Sequence, residues 1–289
     1  MITIFSHLDQ EQANTFSLVL NASGIGNRVI VDQDGLRIEV PPIHIERARE
    51  VIHRYQAENP DTREDVPAPR SNPPLSKNLS GIAAALLLLS IHLAVFASTA
   101  PEDYLAVFGA NARRILNGEA YRCATALLLH ADAAHLAGNM AGMAIFGGAV
   151  CVVTGTGVGW LMILACGILG NLMNAWAYAT GHLSVGASTA VFGAIGSLCA
   201  FQAVDAARTG KGWKRMVLVL GAGMALLAFL GTSPRSDLGA HLFGFLWGVL
   251  TGGAYRLWMK HPPARKAQVL CGAIAASVLL SAWIRGMTG

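Results

Sequence analysis

The sequence predicts an all-α polytopic membrane protein preceded by a small α+β soluble domain. Three observations carry that prediction. The chain of 289 residues is 53% hydrophobic but only 13% charged, about half the charge of an ordinary soluble protein. From Ala133 to Val204 there is no Asp, Glu, Lys or Arg, room for three spans of about 20 residues each. The apolar runs are continuous rather than alternating, which favours helices over a barrel, and lipid admits only these two architectures.

Residues 1–58 read as the soluble domain. "ITIF" is a strand candidate, and "LDQEQANTFSLVLNASG" has helical spacing ending at glycine. "NRVIVDQDGLRIEV" reads as two strands around Asp34-Gly35, a strong hairpin signal. "HIERAREVIHRYQAE" is an amphipathic helix, so the order is β-α-β-β-α. The start, "MITIFSHLDQEQ", lacks the basic segment and apolar core of a signal peptide. Residues 59–77 are rich in proline and charge and read as a linker.

Residues 78–289 form the membrane domain, with seven expected spans. They cover about Leu79–Ala97, Ala134–Val153, Val158–Ala179, Gly186–Val204, Met216–Leu230, Leu238–Leu257 and Ala267–Ile284. Basic residues collect before the first span (Arg63, Arg70, Lys77), after the fourth (Arg208, Lys211, Lys214, Arg215) and after the sixth (Arg256, Lys260, Arg265, Lys266). The positive-inside rule makes that side, with the N-terminus, cytoplasmic. The net charge of +4 is therefore a topology signal rather than a nucleic-acid footprint. The loop from Pro101 to Arg122 carries mixed charge and falls outside; "EDYLAVFGANARRILNG" in it is partly helical and amphipathic. The five cysteines have no metal-ligand spacing, and four lie in apolar spans, where cysteine acts as a small hydrophobe. No metal or cofactor is expected.

Ionisable groups inside a membrane are functional candidates. Here they are His92, His130, His135, His182 and His241. The even-numbered spans share a direction. His135 and Asn139, Ser188, and His241 lie near the starts of the second, fourth and sixth, and so reach one depth near the outer surface. The sixth span repeats a small residue every fourth position, at Ala240, Gly244, Gly248 and Gly252, which lets helices pack closely. The fourth carries Ala190, Gly193, Ala194 and Ser197 on a comparable face. If these faces meet, an imidazole reaches a hydroxyl, as nucleophilic catalysis by serine requires. A serine at a helix start also brings free backbone N–H groups to a developing oxyanion. His135 and Asn139 (i, i+4) face the same way and add donors. Singly, Ser188 and the glycines read as packing residues and His241 as a bonded interior histidine; their coincidence of depth favours catalysis.

Three segments resemble the rhomboid family of intramembrane serine proteases, over roughly Glu119 to Leu257. "YRCATALLLHADAAHLAGNM" (Tyr121–Met140) resembles its aromatic-Arg pair and H-x4-H-x3-N. "GASTAVFGAIG" (Gly186–Gly196) resembles its G-x-S segment, and "AHLFGFLWG" (Ala240–Gly248) its A-H-x-x-G-x-x-x-G helix. The resemblance implies a six-helix core, here followed by a seventh span. It implies a Ser–His dyad of Ser188 and His241 without an aspartate. The oxyanion site would be His135, Asn139 and the Ser188 N–H, with His130 and Gly186 in support. Substrates would be transmembrane segments of other proteins, cut near the outer face of a bacterial inner membrane. Two positions depart from the family. Thr189 replaces the usual glycine after the nucleophile, and can narrow the oxyanion pocket or shift the turn. Cys151 stands where many relatives have glutamate. The alternatives are an inactive relative that binds membrane segments without cutting them, and a small transporter. The transporter lacks a buried carboxylate or lysine for ion coupling and a site at the midplane.

Overall fold

The computed structural model describes residues 1–32, 35–59, 79–179, 182–208, 214, 216–218, 221–223, 225 and 237–288. The chain divides into two compact units, Met1–Ser71 and Asn72–Gly289.

The first unit has the expected order β-α-β-β-α. It comprises β1 (Ile2–Leu8), α1 (Gln10–Ala22), β2 (Arg28–Asp32), β3 (Gly35–Val40) and α2 (Ile45–Glu58). The sheet is antiparallel in the order β1-β3-β2. Val29 opposes Ile38 and Ile2 opposes Val40, so Ile38 and Val40 point to one face. There they join Phe16 and Leu20 of α1 and Ala48 and Ile52 of α2 in one core. Asp9 starts α1 with a capping box: its carboxylate accepts the Gln12 N–H at 2.8 Å, and Gln12 Oε1 accepts the Asp9 N–H at 3.2 Å. The first part of the hairpin turn, 33–34, and residues 60–78, which take in the linker beyond Asn59, lie outside the described residues.

The second unit is helical. It begins with α3 (Leu79–Phe96), followed by the short elements α4 (Pro101–Phe108), β4 (Ala110–Asn111), α5 (Ala112–Leu116) and α6 (Arg122–Thr125). Next come α7 (Ala133–Gly142), a π-helical turn (Met143–Gly147) and α8 (Gly148–Thr154). After these follow α9 (Thr156–Tyr178), β5 (Leu183–Ser184), α10 (Ser188–Arg208), α11 (Leu238–Trp258) and α12 (Arg265–Thr288). Among the described residues, five segments are long and apolar enough to cross a membrane: Leu79–Phe96, Ala133–Thr154, Thr156–Tyr178, Ser188–Arg208 and Arg265–Thr288. These match the first, second, third, fourth and seventh expected spans. Helix α11 matches the sixth in extent, but His241, Arg256 and its glycines dilute its apolar character, and it is not among the five. The fifth expected span, Met216–Leu230, lies mostly outside the described residues.

Helices α10 and α11 meet along the two small-residue faces. A Cβ on Gly244 would overlap the Thr189 carbonyl oxygen, and one on Gly248 the Gly193 carbonyl oxygen. A Cβ on Gly252 would lie 2.6 Å from Ser197 Cα. Each helix advances four residues per contact, so the backbones touch for two turns. Ala190 instead faces Gly167 of α9.

Helix α12 docks across both ends of the unit. Gln268 accepts the Val158 N–H at 3.0 Å and donates to the Thr154 carbonyl at 2.9 Å, satisfying the backbone where α8 turns into α9. Near its other end, Trp283 packs at a tilt on Phe108 of α4 with ring centroids 4.1 Å apart.

The segment from α4 to α6 is partly helical, as expected, and hangs on a buried arginine. Arg122 is 1% exposed. It donates to Glu119 Oε2 at 2.6 Å, the Ala106 carbonyl at 2.7 Å and the Gly109 carbonyl at 3.1 Å. The ion pair holds the Glu119 carboxyl below its usual 4.5. Strand β4 pairs with β5, Ala110 opposite Ser184, which sets this segment beside the start of α10.

Candidate active site

The site assembles at the start of α10. Gly186 precedes it with φ +127°, a conformation that glycine adopts without strain. Its N–H is held by the Ala126 carbonyl at 2.9 Å. This turn makes Ser188 the first residue of the helix, where backbone N–H groups have no helical partner. Ser188 Oγ and His241 Nε2 lie 2.8 Å apart. His241 sits in the first turn of α11 and is 5% exposed. Phe192, one turn beyond Ser188, packs on the imidazole with centroids 4.6 Å apart. The close approach of α10 and α11 is thus what brings hydroxyl and imidazole together.

His135 and Asn139 approach from α7. Asp132 caps that helix, accepting the His135 N–H at 2.8 Å. A Cβ on Gly186 would lie 2.5 Å from His135 Cε1, 2.7 Å from its Nε2 and 3.3 Å from Asn139 Nδ2. Both side chains therefore press on the turn before Ser188. The Asn139 amide nitrogen is buried and, among the described residues, has no hydrogen-bond partner. A buried donor without a partner is costly in a finished structure, and here it lies beside the serine turn.

His130 lies beneath the same turn, 1% exposed. Its Nε2 accepts the Ala187 N–H at 3.4 Å, and its ring lies 5.3 Å from that of His135. His92 stands further in, 6.5 Å from His130 between centroids. Every residue singled out for the site, Ser188, His241, His135, Asn139, His130 and Gly186, thus comes to one place.

Thr189 does not narrow that place. Its hydroxyl donates to Asn171 Oδ1 on α9 at 2.9 Å, and Asn171 Nδ2 donates to the Cys123 carbonyl at 2.9 Å. Its methyl faces Gly170 and Gly244. One helical residue past Ser188, the side chain is rotated about 100° away, into the contact between α9 and α11. Cys151 is buried with Sγ 3.8 Å from the Thr156 carbonyl, a packing position. Phe192 and Asn171 carried no sequence signal that separates them from ordinary core residues.

The fold and its apolar helices make the chain an integral membrane protein of the polytopic helical class. A family model described as "Rhomboid domain" matches residues 117–258. The Bacillus subtilis (strain 168) protein named "Putative rhomboid protease YdcA" is 30% identical over 136 residues, which cover 47% of this chain and 67% of that relative. The chain belongs to the rhomboid family.

Proposed function

We propose that this chain is an intramembrane serine endopeptidase that cuts transmembrane segments of other proteins near the outer face of a bacterial inner membrane. The reading rests on one observation above all: Ser188 Oγ lies 2.8 Å from His241 Nε2 at a helix start. A serine hydroxyl does not ionise at neutral pH, so a base must take its proton during attack. His241 Nε2 accepts that proton as Ser188 Oγ bonds to the scissile carbonyl carbon. The carbonyl oxygen becomes an oxyanion, received by the Ser188 N–H, Asn139 Nδ2 and His135. The unpartnered Asn139 amide suits this role, since preorganised donors act on charge that develops only in the transition state. Protonated His241 then gives its proton to the leaving amine, freeing the new N-terminus and leaving an acyl group on Ser188. Water, deprotonated by His241, attacks that ester; His241 then returns the proton to Ser188 Oγ as the acyl bond breaks and the new C-terminus leaves. Gly186 and His130 support the turn.

The same proposal gives a core of six spans plus a seventh, the fifth being near 216–230. Residues 1–58 form a cytosolic domain with the N-terminus cytoplasmic, 59–77 a linker and 78–289 the membrane domain. The test is cleavage of a single-span substrate in liposomes. Wild type is expected to cut, and Ser188→Ala and His241→Ala to lose roughly 10^4-fold or more. Undiminished cleavage by either variant overturns the dyad.

A further inference from the structure

One partly buried carboxylate near the site has no part in the proposed chemistry. Asp237 stands immediately before α11, its side chain 10% exposed. It makes four contacts of different kinds. Oδ1 accepts the Ala240 N–H at 3.0 Å, capping the helix. Its backbone carbonyl accepts the N–H of His241 at 3.0 Å. Oδ2 accepts Asn174 Nδ2 of α9 at 2.6 Å and lies 2.7 Å from His182 Nε2. An ionised carboxylate only accepts, so His182 must present N–H at Nε2.

The partners are anchored in turn. The His182 ring stacks on Tyr178 of α9, with centroids 4.4 Å apart and planes 17° from parallel. Its backbone carbonyl accepts the Ala112 N–H at 2.9 Å. Gly239 lets α9 come close: a Cβ there would lie 2.5 Å from Asn174 Oδ1 and 3.0 Å from Tyr178 Cε2. Burial alone would raise the Asp237 carboxyl. The Ala240 N–H, His182 and Ser184 outweigh it and hold the group below its usual 3.8.

We infer that Asp237 is a positioning residue, which with Asn174 and His182 pins the start of α11 to α9 and to the segment before Ser188, and so fixes where His241 meets the serine. The glycine seam brings α10 and α11 together but permits sliding along the helix axis and rotation. A bond to a neighbouring helix from Asp237, whose carbonyl accepts the His241 N–H, removes both freedoms. The geometry matters because a displacement on the order of 1 Å at reacting groups costs about 100-fold in rate. The role of His241 is that of the proposed function, and the inference rests on it.

The test uses the full chain in liposomes, with cleavage of a single-span substrate and amide hydrogen exchange at Ala240 and His241. Asp237→Ala is expected to lower kcat by roughly 10- to 100-fold with KM nearly unchanged, and to speed exchange at those amides. Asp237→Asn, which keeps a capping acceptor and a partner for Asn174, is expected to recover most of the loss. Asn174→Ala and His182→Phe each give part of it, and together with Asp237→Ala add little. Gln268→Ala, which loosens α12 away from the site, serves as a variant of matched thermal stability with wild-type kcat. Wild-type kcat in Asp237→Ala, or an equal kcat loss in Gln268→Ala, overturns the inference. Exchange needs no catalysis. If wild type cuts nothing, the proposed function fails, whereas unchanged exchange at Ala240 and His241 in Asp237→Ala sinks the clamp itself.

Discussion

Adding one methyl group at Gly244 is expected to separate the dyad. A Cβ there would overlap the Thr189 carbonyl oxygen and lie 3.0 Å from its carbon and 3.1 Å from Thr189 Cγ2. Carbon atoms rest about 3.5–4.0 Å apart, so the carbon contacts alone push α11 from α10 by about 0.5–1 Å, and the overlap with the oxygen demands at least the upper figure. The obstacle is backbone, which cannot swing aside. The contact lies within one turn of both Ser188 and His241, whose 2.8 Å bond would stretch past the ~3.0 Å limit of a good O–H hydrogen bond. A misplacement of that size costs about 100-fold in rate, and overpacking a tight contact costs about 1–3 kcal/mol in stability. Gly253, on the same helix, has nothing within 4 Å of an added Cβ, so Gly253→Ala is expected to keep full activity. Cleavage rates and thermal unfolding of the two purified variants decide the matter. Wild-type activity and stability in Gly244→Ala, or equal damage in Gly253→Ala, would refute the reasoning.

Gly186→Ala puts a Cβ on a residue at φ +127° and against His135. The account expects about a 100-fold or greater loss of kcat, with destabilisation of about 1–3 kcal/mol, read by kinetics and thermal unfolding. The Glu119–Arg122 pair gives a pH dependence. Because the folded carboxyl is held below its usual 4.5, its contribution is fully present above 4.5 and fades as pH falls through the lowered value. Protection of the Gly109 and Ala110 amides, measured against the intrinsic exchange rate at each pH, is expected to fall on acidification below pH 4.5, and Glu119→Gln to flatten that fall.

Much of the site was legible because each part leaves a mark in one sequence. A charge-free run marks the spans, because an unpaired charge in lipid is expensive. Glycines at every fourth position mark a close helix contact, and Gly244, Gly248 and Gly252 meet Thr189, Gly193 and Ser197 as that spacing implies. The β-α-β-β-α order of the first unit was legible for the same kind of reason: an Asp-Gly turn between two strand candidates, helical spacing that ends at a glycine, and an amphipathic run after the hairpin. What the sequence concealed are pairings set by tertiary geometry. A threonine after the serine can narrow the oxyanion pocket or shift the turn, but which way its side chain turns depends on Asn171, an amide eighteen positions earlier in the chain. His182 reads as one more intramembrane histidine until Asp237, far along the chain, is seen to face it. Gln268, the polar residue that seats α12, is marked by no pattern at all, because its partners are backbone groups at the turn between α8 and α9.

The most direct measurement is the site of covalent labelling by a serine-directed phosphonate in the membrane-reconstituted protein, mapped by mass spectrometry. The account predicts one adduct, on Ser188, formed by wild type and abolished in His241→Ala. An adduct on another serine, or Ser188 labelling that is unaffected by loss of His241, would contradict it.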